Sequence, residues 1–467
     1  MNWLADFNGV PIPAHAASIG PFESACRHGS KTAEAYLGGA PKIAPPILTD
    51  DGRQGGPLSR AAPDFAVIVF GATPGGIAAA VAASRALRGE YGTVDGAPTS
   101  RAVLLLEPSK WIGGMASGGL GCTDKVGGGS YGGLAREFVN RTNAKYLSAS
   151  GGARPPLPHC KTETAFEPHI ATEVFREMLA EAHVSVAVSS PIAFVARSSG
   201  SATHLKSVQL SNGTTLSAAV FIDATYEGDL LSVAGVDFTV GRESQAQYGE
   251  SLAGRRPLVP SSCYGFHKPI SPFVSVDAVG AGGVYLEHKP QPASSVLPMI
   301  WDGPMVGSGE ADTRVMSYNY RLCLTNATTV SGGQRREIKK PSTYDPAFFE
   351  LARRYMKAEP PRSLTPSVLK IYEIISVGDG VKADVNSAIF PVSTNLVGGS
   401  WGYPNGTEPE RAVIIERHQS YTKNLLWFLR SDPSVPPQLR AEMSTWAWCA
   451  DEWIDNQNFP TQLCTST

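Results

Sequence analysis

The chain lacks paired metal ligands. Its seven cysteines (Cys26, Cys122, Cys160, Cys263, Cys323, Cys449 and Cys464) contain no C-x-x-C pair, and their number is odd. That argues against a zinc ribbon, an iron–sulfur site or a disulfide scaffold. None of the nine histidines has a second one four residues away, so no such pair shares a helix face and no metal site is expected. Charge of one sign is missing too. The 40 Lys and Arg against 42 Asp and Glu leave a net charge of −2, without a basic field for nucleic acid or a polybasic patch for anionic lipid. The opening residues, MNWLADFNGVPIPAHAAS, lack the charged start and apolar stretch of a secretory signal. They also lack the Arg-rich, acid-free character of a transit peptide. The four N-x-S/T sequons at Asn140, Asn212, Asn326 and Asn405 are then read as chance, and an intracellular location is the default.

What is present is apolar enough to fold. Hydrophobic residues make up 42% of 467, enough for two or three domains with a sizeable core. With 48 glycines and 36 prolines the chain is rich in turns, as in a loop-rich α/β enzyme. Residues 1–63 hold eight of each without a sustained apolar period, and read as a flexible leader.

Order begins at residue 65. FAVIVF (65–70) is a continuous apolar run of the kind a parallel strand shows when both its faces are buried. GATPGG follows, then the Ala-rich helix IAAAVAASRALR (77–88), then a second buried strand, AVLLLE (102–107). Strand, glycine turn, helix and strand open a doubly wound fold. A membrane helix over 66–84 is the poorer account, because Pro74 and three glycines interrupt the window. Helices are expected over 131–148 and 168–182. Short strands follow at 184–188, 192–197 and 204–211, and Asn212-Gly213 turns the chain into a returning strand that ends near Asp223. The pattern from 240 to about 395 is irregular, and helices are expected again from 408 to 455.

Three segments carry chemistry. In the first, Gly71 permits a tight turn and Gly76 close helix–strand packing, so that the helix start can face a pyrophosphate. The usual central glycine is Thr73 here. Glu107, at the end of the second strand, is placed to take ribose hydroxyls, and removing an inferred surface insertion at 89–101 restores the usual spacing. An exposed strand-end Glu is the bland alternative. A carboxylate there favours the unphosphorylated ribose of FAD or NAD over NADP. The second glycine-rich loop, WIGGMASGGL (111–120), suits the larger flavin and moves the reading from NAD to FAD.

These residues reach a family. VIVFGATPGGIAAAVAASR, VLLLEPSKWIGGMASGGLGCTD, FEPHIATEVFREML and VFIDATYEGDLLSVAGVDFTVGRES together resemble the FAD-dependent oxidoreductases with glutathione-reductase-like FAD binding, some of them annotated xanthan-lyase-like. The resemblance is strong over 65–250 and extends over 370–463. It implies an α/β fold: a Rossmann-like FAD-binding domain with parallel sheet and β-meander over 64–240, and an inserted α+β substrate domain over 241–395. A helical segment over 396–467 would leave the FAD domain incomplete at the C-terminus.

By the same resemblance Gly71, Ala72, Thr73, Pro74, Gly75 and Gly76 hold the FAD pyrophosphate, and Glu107, followed by Pro108, the adenosine ribose. Gly113, Gly114 and Met115 line the phosphate and isoalloxazine side, and Ile192 offers backbone to adenine. Asp223, Ala224, Thr225, Gly228 and Asp229 match a second cofactor-side turn, where doubly wound sheets bind ligands.

The implied reaction is hydride transfer from a small organic or sugar-like substrate to flavin. The alternative is a catalytically inactive, truncated flavoprotein serving as a weak cofactor binder or folded module. His169 is the acid/base candidate, or else a capping or packing residue at a helix start. Arg242 either holds a substrate carboxylate or forms a structural ion pair with Glu243 or another acid. Cys122 follows the glycine loop without a second cysteine nearby in sequence, so a dithiol mechanism is not favoured. Trp446, Trp448 and Trp453 read as core.

Overall fold

The computed structural model describes residues 63–91, 102–123, 131–149, 160, 164–197, 204–256, 268, 270–273, 296–301, 303–331, 333–365, 367–387 and 392–465. The expected leader, apart from its last residue, lies outside them, as does most of the inferred insertion at 89–101. The chain divides into two compact units, within Ala40–Phe238 and within Thr239–Thr467.

The first unit is built on a six-stranded sheet. Its elements are β1 (Phe65–Phe70), α1 (Pro74–Leu87), β2 (Val103–Leu106), α2 (Gly114–Ser117), α3 (Gly133–Ala149) and α4 (Pro168–Glu181). Then come β3 (Ser185–Ala187), β4 (Ile192–Arg197), β5 (Leu205–Leu210), β6 (Thr215–Asp223) and α5 (Asp229–Val233). The strand order is β3-β2-β1-β6-β5-β4. The first four are parallel, with Val67 opposite both Val103 and Val220, and the last three form an antiparallel meander.

The apolar runs explain the two-sided burial. Ile68, Phe70, Leu104 and Leu106 gather with Val195, Val208, Leu210 and Leu230. Val67, Val69, Val103 and Leu105 alternate with them and are equally buried. Each such side chain contributes roughly 1.5–3 kcal/mol on leaving water. Helix α1 packs on β1 and β2, and the buried Ser84 hydroxyl donates to the Ala182 carbonyl at 2.6 Å, tying α1 to the end of α4.

One cysteine expectation is overturned here. Cys122 and Cys160 are joined in a disulfide with Cα atoms 5.7 Å apart. Their separation of 38 residues hides the pair from spacing motifs. Cys122 forms an antiparallel bridge with Ala165, which returns the chain from the Cys160 side to the glycine loop. Cys122, which has no second cysteine near it in sequence, thus has one beside it in the fold.

The second unit contains an antiparallel sheet where the sequence read as irregular. Its elements are β7 (Leu322–Thr325), α6 (Glu350–Ala358), β8 (Leu369–Val377), β9 (Gly380–Ser387), α7 (Glu408–Ser431), α8 (Pro437–Thr445) and β10 (Ala447–Trp448), with strand order β8-β9-β7-β10. The register of β8 and β9 shifts between Glu373 and Ile375, which breaks the period-two pattern that would have revealed the hairpin. Thr407 and Glu410 form a capping box at the start of α7. The helix expected through Ile454 stops instead at Thr445, because Trp446 is extended and Ala447–Trp448 join the sheet beside Leu324 and Thr325. Trp446 and Trp448 are buried, whereas Trp453 is only half-buried.

This sheet carries an interior line of charge. The Arg321 guanidinium donates to Asp384 at 3.0 Å, and Lys382 Nζ lies 2.9 Å from Asp451 Oδ2 and 3.0 Å from Glu452 Oε1. Among the described residues no helix is long and apolar enough to cross a membrane.

Candidate cofactor site

The turn after β1 is dictated by close approach. Gly71 has φ +96°, and its N–H donates to the Leu106 carbonyl at 2.8 Å. A Cβ there would lie 2.7 Å from the Thr225 backbone nitrogen. At Gly76 a Cβ would stand 1.9 Å from the Gly71 carbonyl oxygen, so the start of α1 can rest on the strand end only without a side chain. Thr73, standing where a glycine is usual, is the N-cap. Its hydroxyl accepts from the Gly76 N–H at 3.1 Å and donates to the Ala224 carbonyl at 2.8 Å. Pro74 then occupies the first helical turn without sacrificing a donor.

Gly75 differs from its neighbours. A Cβ there would meet nothing closer than the Thr73 hydroxyl at 3.7 Å. The protein itself makes no steric demand for glycine at this position. Open space above a helix N-terminus, where the N–H groups and the positive end of the dipole point, fits the phosphates of a dinucleotide.

Glu107 is tied to the same turn. One carboxylate oxygen accepts from the Ala72 N–H at 2.7 Å and the other from the Ser109 N–H at 2.9 Å. Burial pushes this carboxyl above the usual Glu range, with the Ser109 and Ala72 donors pulling the other way. Pro108 follows, half-buried. The Ser190 N–H donates to the Glu107 carbonyl and the Ser189 N–H to that of Ser109, which brings the chain just before Ile192 beside the acid.

Two consequences follow for Glu107. Ribose hydroxyls need the ionised carboxylate, so FAD affinity should fall on acidification at a pH above the ordinary Glu range. Glu107→Gln should weaken FAD about 10–100-fold, the worth of a charge-assisted hydrogen bond, and abolish that pH step in a fluorescence titration. Stability should move the other way. A raised folded-state pKa favours the fold below the unfolded value and loses that advantage as pH rises through the folded one, so the apo parent should lose stability as pH rises through that window, and the Gln variant should lack the step.

The second glycine loop and the end of β6 close the site. The Gly113 N–H donates to the Ala72 carbonyl at 2.7 Å, and Gly114 leads into α2. The Ala224 N–H donates to the Phe70 carbonyl at 2.8 Å. Asp223 is spent internally: it accepts from the Thr225 N–H and hydroxyl at 3.0 and 2.7 Å and from the Leu231 N–H at 2.8 Å. The Asp229 N–H donates to the Thr225 hydroxyl at 2.8 Å, next to Gly228 at the start of α5. These carboxylate contacts fix the turn.

Sequence reasoning missed Tyr226. Its hydroxyl accepts from the Met115 N–H at 2.8 Å, joining the β6 turn to the second glycine loop. A Cβ on Gly114 would come within 2.5 Å of that hydroxyl. The only sequence signal was its place between Thr225 and Gly228. Tyr226→Phe should free the Met115 N–H and weaken FAD about 5–10-fold, with little change in apo melting temperature.

The catalytic candidates fall in different units. His169 sits half-buried in the first turn of α4. Arg242 belongs to the second unit, where its Nε donates to Asp312 at 2.9 Å and the two backbones bridge. The ion-pair reading of Arg242 thus has a partner, and it is Asp312 rather than Glu243.

A parallel sheet, a glycine turn at the start of α1, and an acid at the end of β2 define a dinucleotide-binding α/β protein. The family model described as FAD dependent oxidoreductase matches residues 66–457, and the chain belongs to that family. FAD is accordingly its cofactor. No curated protein matches it. Among solved structures it is similar to HlmI, with 17% identity over 34% of each chain and a TM-score of 0.21. It is also similar to OTEMO in complex with FAD and NADP, with 13% identity over 35% of this chain and 25% of that one, and a TM-score of 0.23. L-proline dehydrogenase from P. horikoshii shows 13% identity over 39% of this chain and 59% of its own, with a TM-score of 0.25. The chain spans less than two thirds of each.

Proposed function

We propose that the protein oxidises a small organic or sugar-like substrate by hydride transfer to FAD. The observation that carries this is the open face of Gly75, set between the Thr73-capped helix start and the Glu107 carboxylate. Bound FAD supplies a two-electron acceptor. The chain's own parts do the rest: the start of α1 takes the pyrophosphate, Glu107 the ribose hydroxyls, and the Ile192 backbone the adenine. Gly113, Gly114 and Met115 give the ring and phosphates close access to the backbone. His169 takes the hydroxyl proton that the substrate releases as its C–H bond gives up a hydride. Arg242, engaged by Asp312, is given a structural role.

The test is the visible absorption spectrum of the purified chain before and after incubation with FAD. Flavin bands should co-elute with the protein on gel filtration and bleach anaerobically with a suitable polyol or sugar. A chain that takes up no FAD would leave the inactive folded module as the reading. Tighter binding of NAD than of FAD would replace the flavin with a nicotinamide.

A further inference from the structure

Cys323 and Cys449 belong to no part of the cofactor site. Cys323 lies on β7, one residue before Leu324, and Cys449 follows β10 directly. The antiparallel register pairs Thr325 with Ala447 and Leu324 with Trp448, so Cys323 and Cys449 are the next facing pair. The Cys449 N–H reaches the Cys323 carbonyl at 3.4 Å, which continues the ladder, and the two Sγ atoms are 2.7 Å apart. Both side chains are buried, at 1% and 0% exposure. Two buried sulfurs held 2.7 Å apart across a strand pair are within reach of a disulfide bond.

We propose that Cys323 and Cys449 form a second disulfide of the mature chain, made during folding by exchange with a disulfide-class oxidant. Each thiol gives up a proton and an electron and a sulfur–sulfur bond forms. The oxidant, glutathione disulfide for example, is cleaved and reduced to two thiols. Burial sets the timing: an oxidant reaches these sulfurs only before β10 docks on β7. The bond reinforces a strand whose pairing with β7 is two residues long. It also anchors Asp451 and Glu452, two and three residues further on, against Lys382. The existing Cys122–Cys160 bond shows that an oxidised pair is compatible with this fold.

The reduced full chain is refolded in an excess of glutathione disulfide over glutathione. The gel-filtered folded fraction is then denatured, alkylated and digested with trypsin and Asp-N. Those cuts release Cys323 in residues 322–335 and Cys449 in residues 441–450, apart from Cys464. The expected result is a linked 322–335/441–450 peptide in most chains, beside the Cys122–Cys160 linkage. In a C122A/C160A variant, reduction should still lower the urea midpoint, and the further change C449A should remove that shift. Recovery of Cys323 and Cys449 as alkylated thiols from the folded fraction overturns the proposal. So does linkage of either to Cys26, Cys263 or Cys464.

Discussion

Gly75→Ala should leave the apo protein folded and lower its affinity for FAD by about 100-fold or more, a loss of about 2.7 kcal/mol. The added methyl has room, since its nearest neighbour would be the Thr73 hydroxyl at 3.7 Å. Alanine is also the better helix former, by up to ~1 kcal/mol, so the apo melting temperature should stay level or rise. On the proposed reading, the methyl enters the space at the helix start that the pyrophosphate would take.

Gly76→Ala provides the contrast. There the methyl would sit 1.9 Å from the Gly71 carbonyl oxygen, a backbone atom that cannot swing aside. The strand end and helix must separate, at a cost of about 3 kcal/mol or more. Thermal unfolding of the apo forms and FAD fluorescence titration divide the outcomes. If Gly75→Ala binds FAD like the parent, the pyrophosphate does not lie at this turn.

That contrast marks how far the sequence could be read. The strand, glycine turn and helix of 65–88 were legible because burial on both faces makes an unbroken apolar run and the phosphate turn has fixed spacing. The second unit was not. Its β8–β9 hairpin carries a register shift, with Ile374 and Ile375 adjacent, and half of β9 is polar, including the buried Lys382 and Asp384. Periodicity registers which residues are apolar. It does not register that a charged side chain is inside because its partners arrive from 63 or 69 residues away. The same limit explains the cofactor site. Glu107 was visible at a strand end, but Tyr226 acts through a hydrogen bond to Met115, 111 residues earlier, and only the folded chain brings the two together. The Cys122–Cys160 bond was missed for that reason as well.

Lys382 is where that interior charge has its largest expected consequence. Its side chain is fully buried, on the central part of β9, and its ammonium sits between Asp451 Oδ2 and Glu452 Oε1. Taking three charges out of water is costly, and the arrangement is tolerable only while opposite signs touch. Lys382→Met fills most of the volume but removes the cation, leaving two neighbouring carboxylates in the interior with no counter-charge from that side chain. The variant should lose about 3–5 kcal/mol of unfolding free energy, measured by urea denaturation. Combining it with Asp451→Asn and Glu452→Gln removes the orphaned charges, and should return the greater part of that loss, because a neutral group of similar volume in place of an ion cluster is often close to isoenergetic. The double-mutant logic makes the origin electrostatic: the carboxamide changes should stabilise the Lys382→Met variant and destabilise the parent. A loss below about 1 kcal/mol for Lys382→Met would show instead that water reaches the two carboxylates, as at an exposed ion pair.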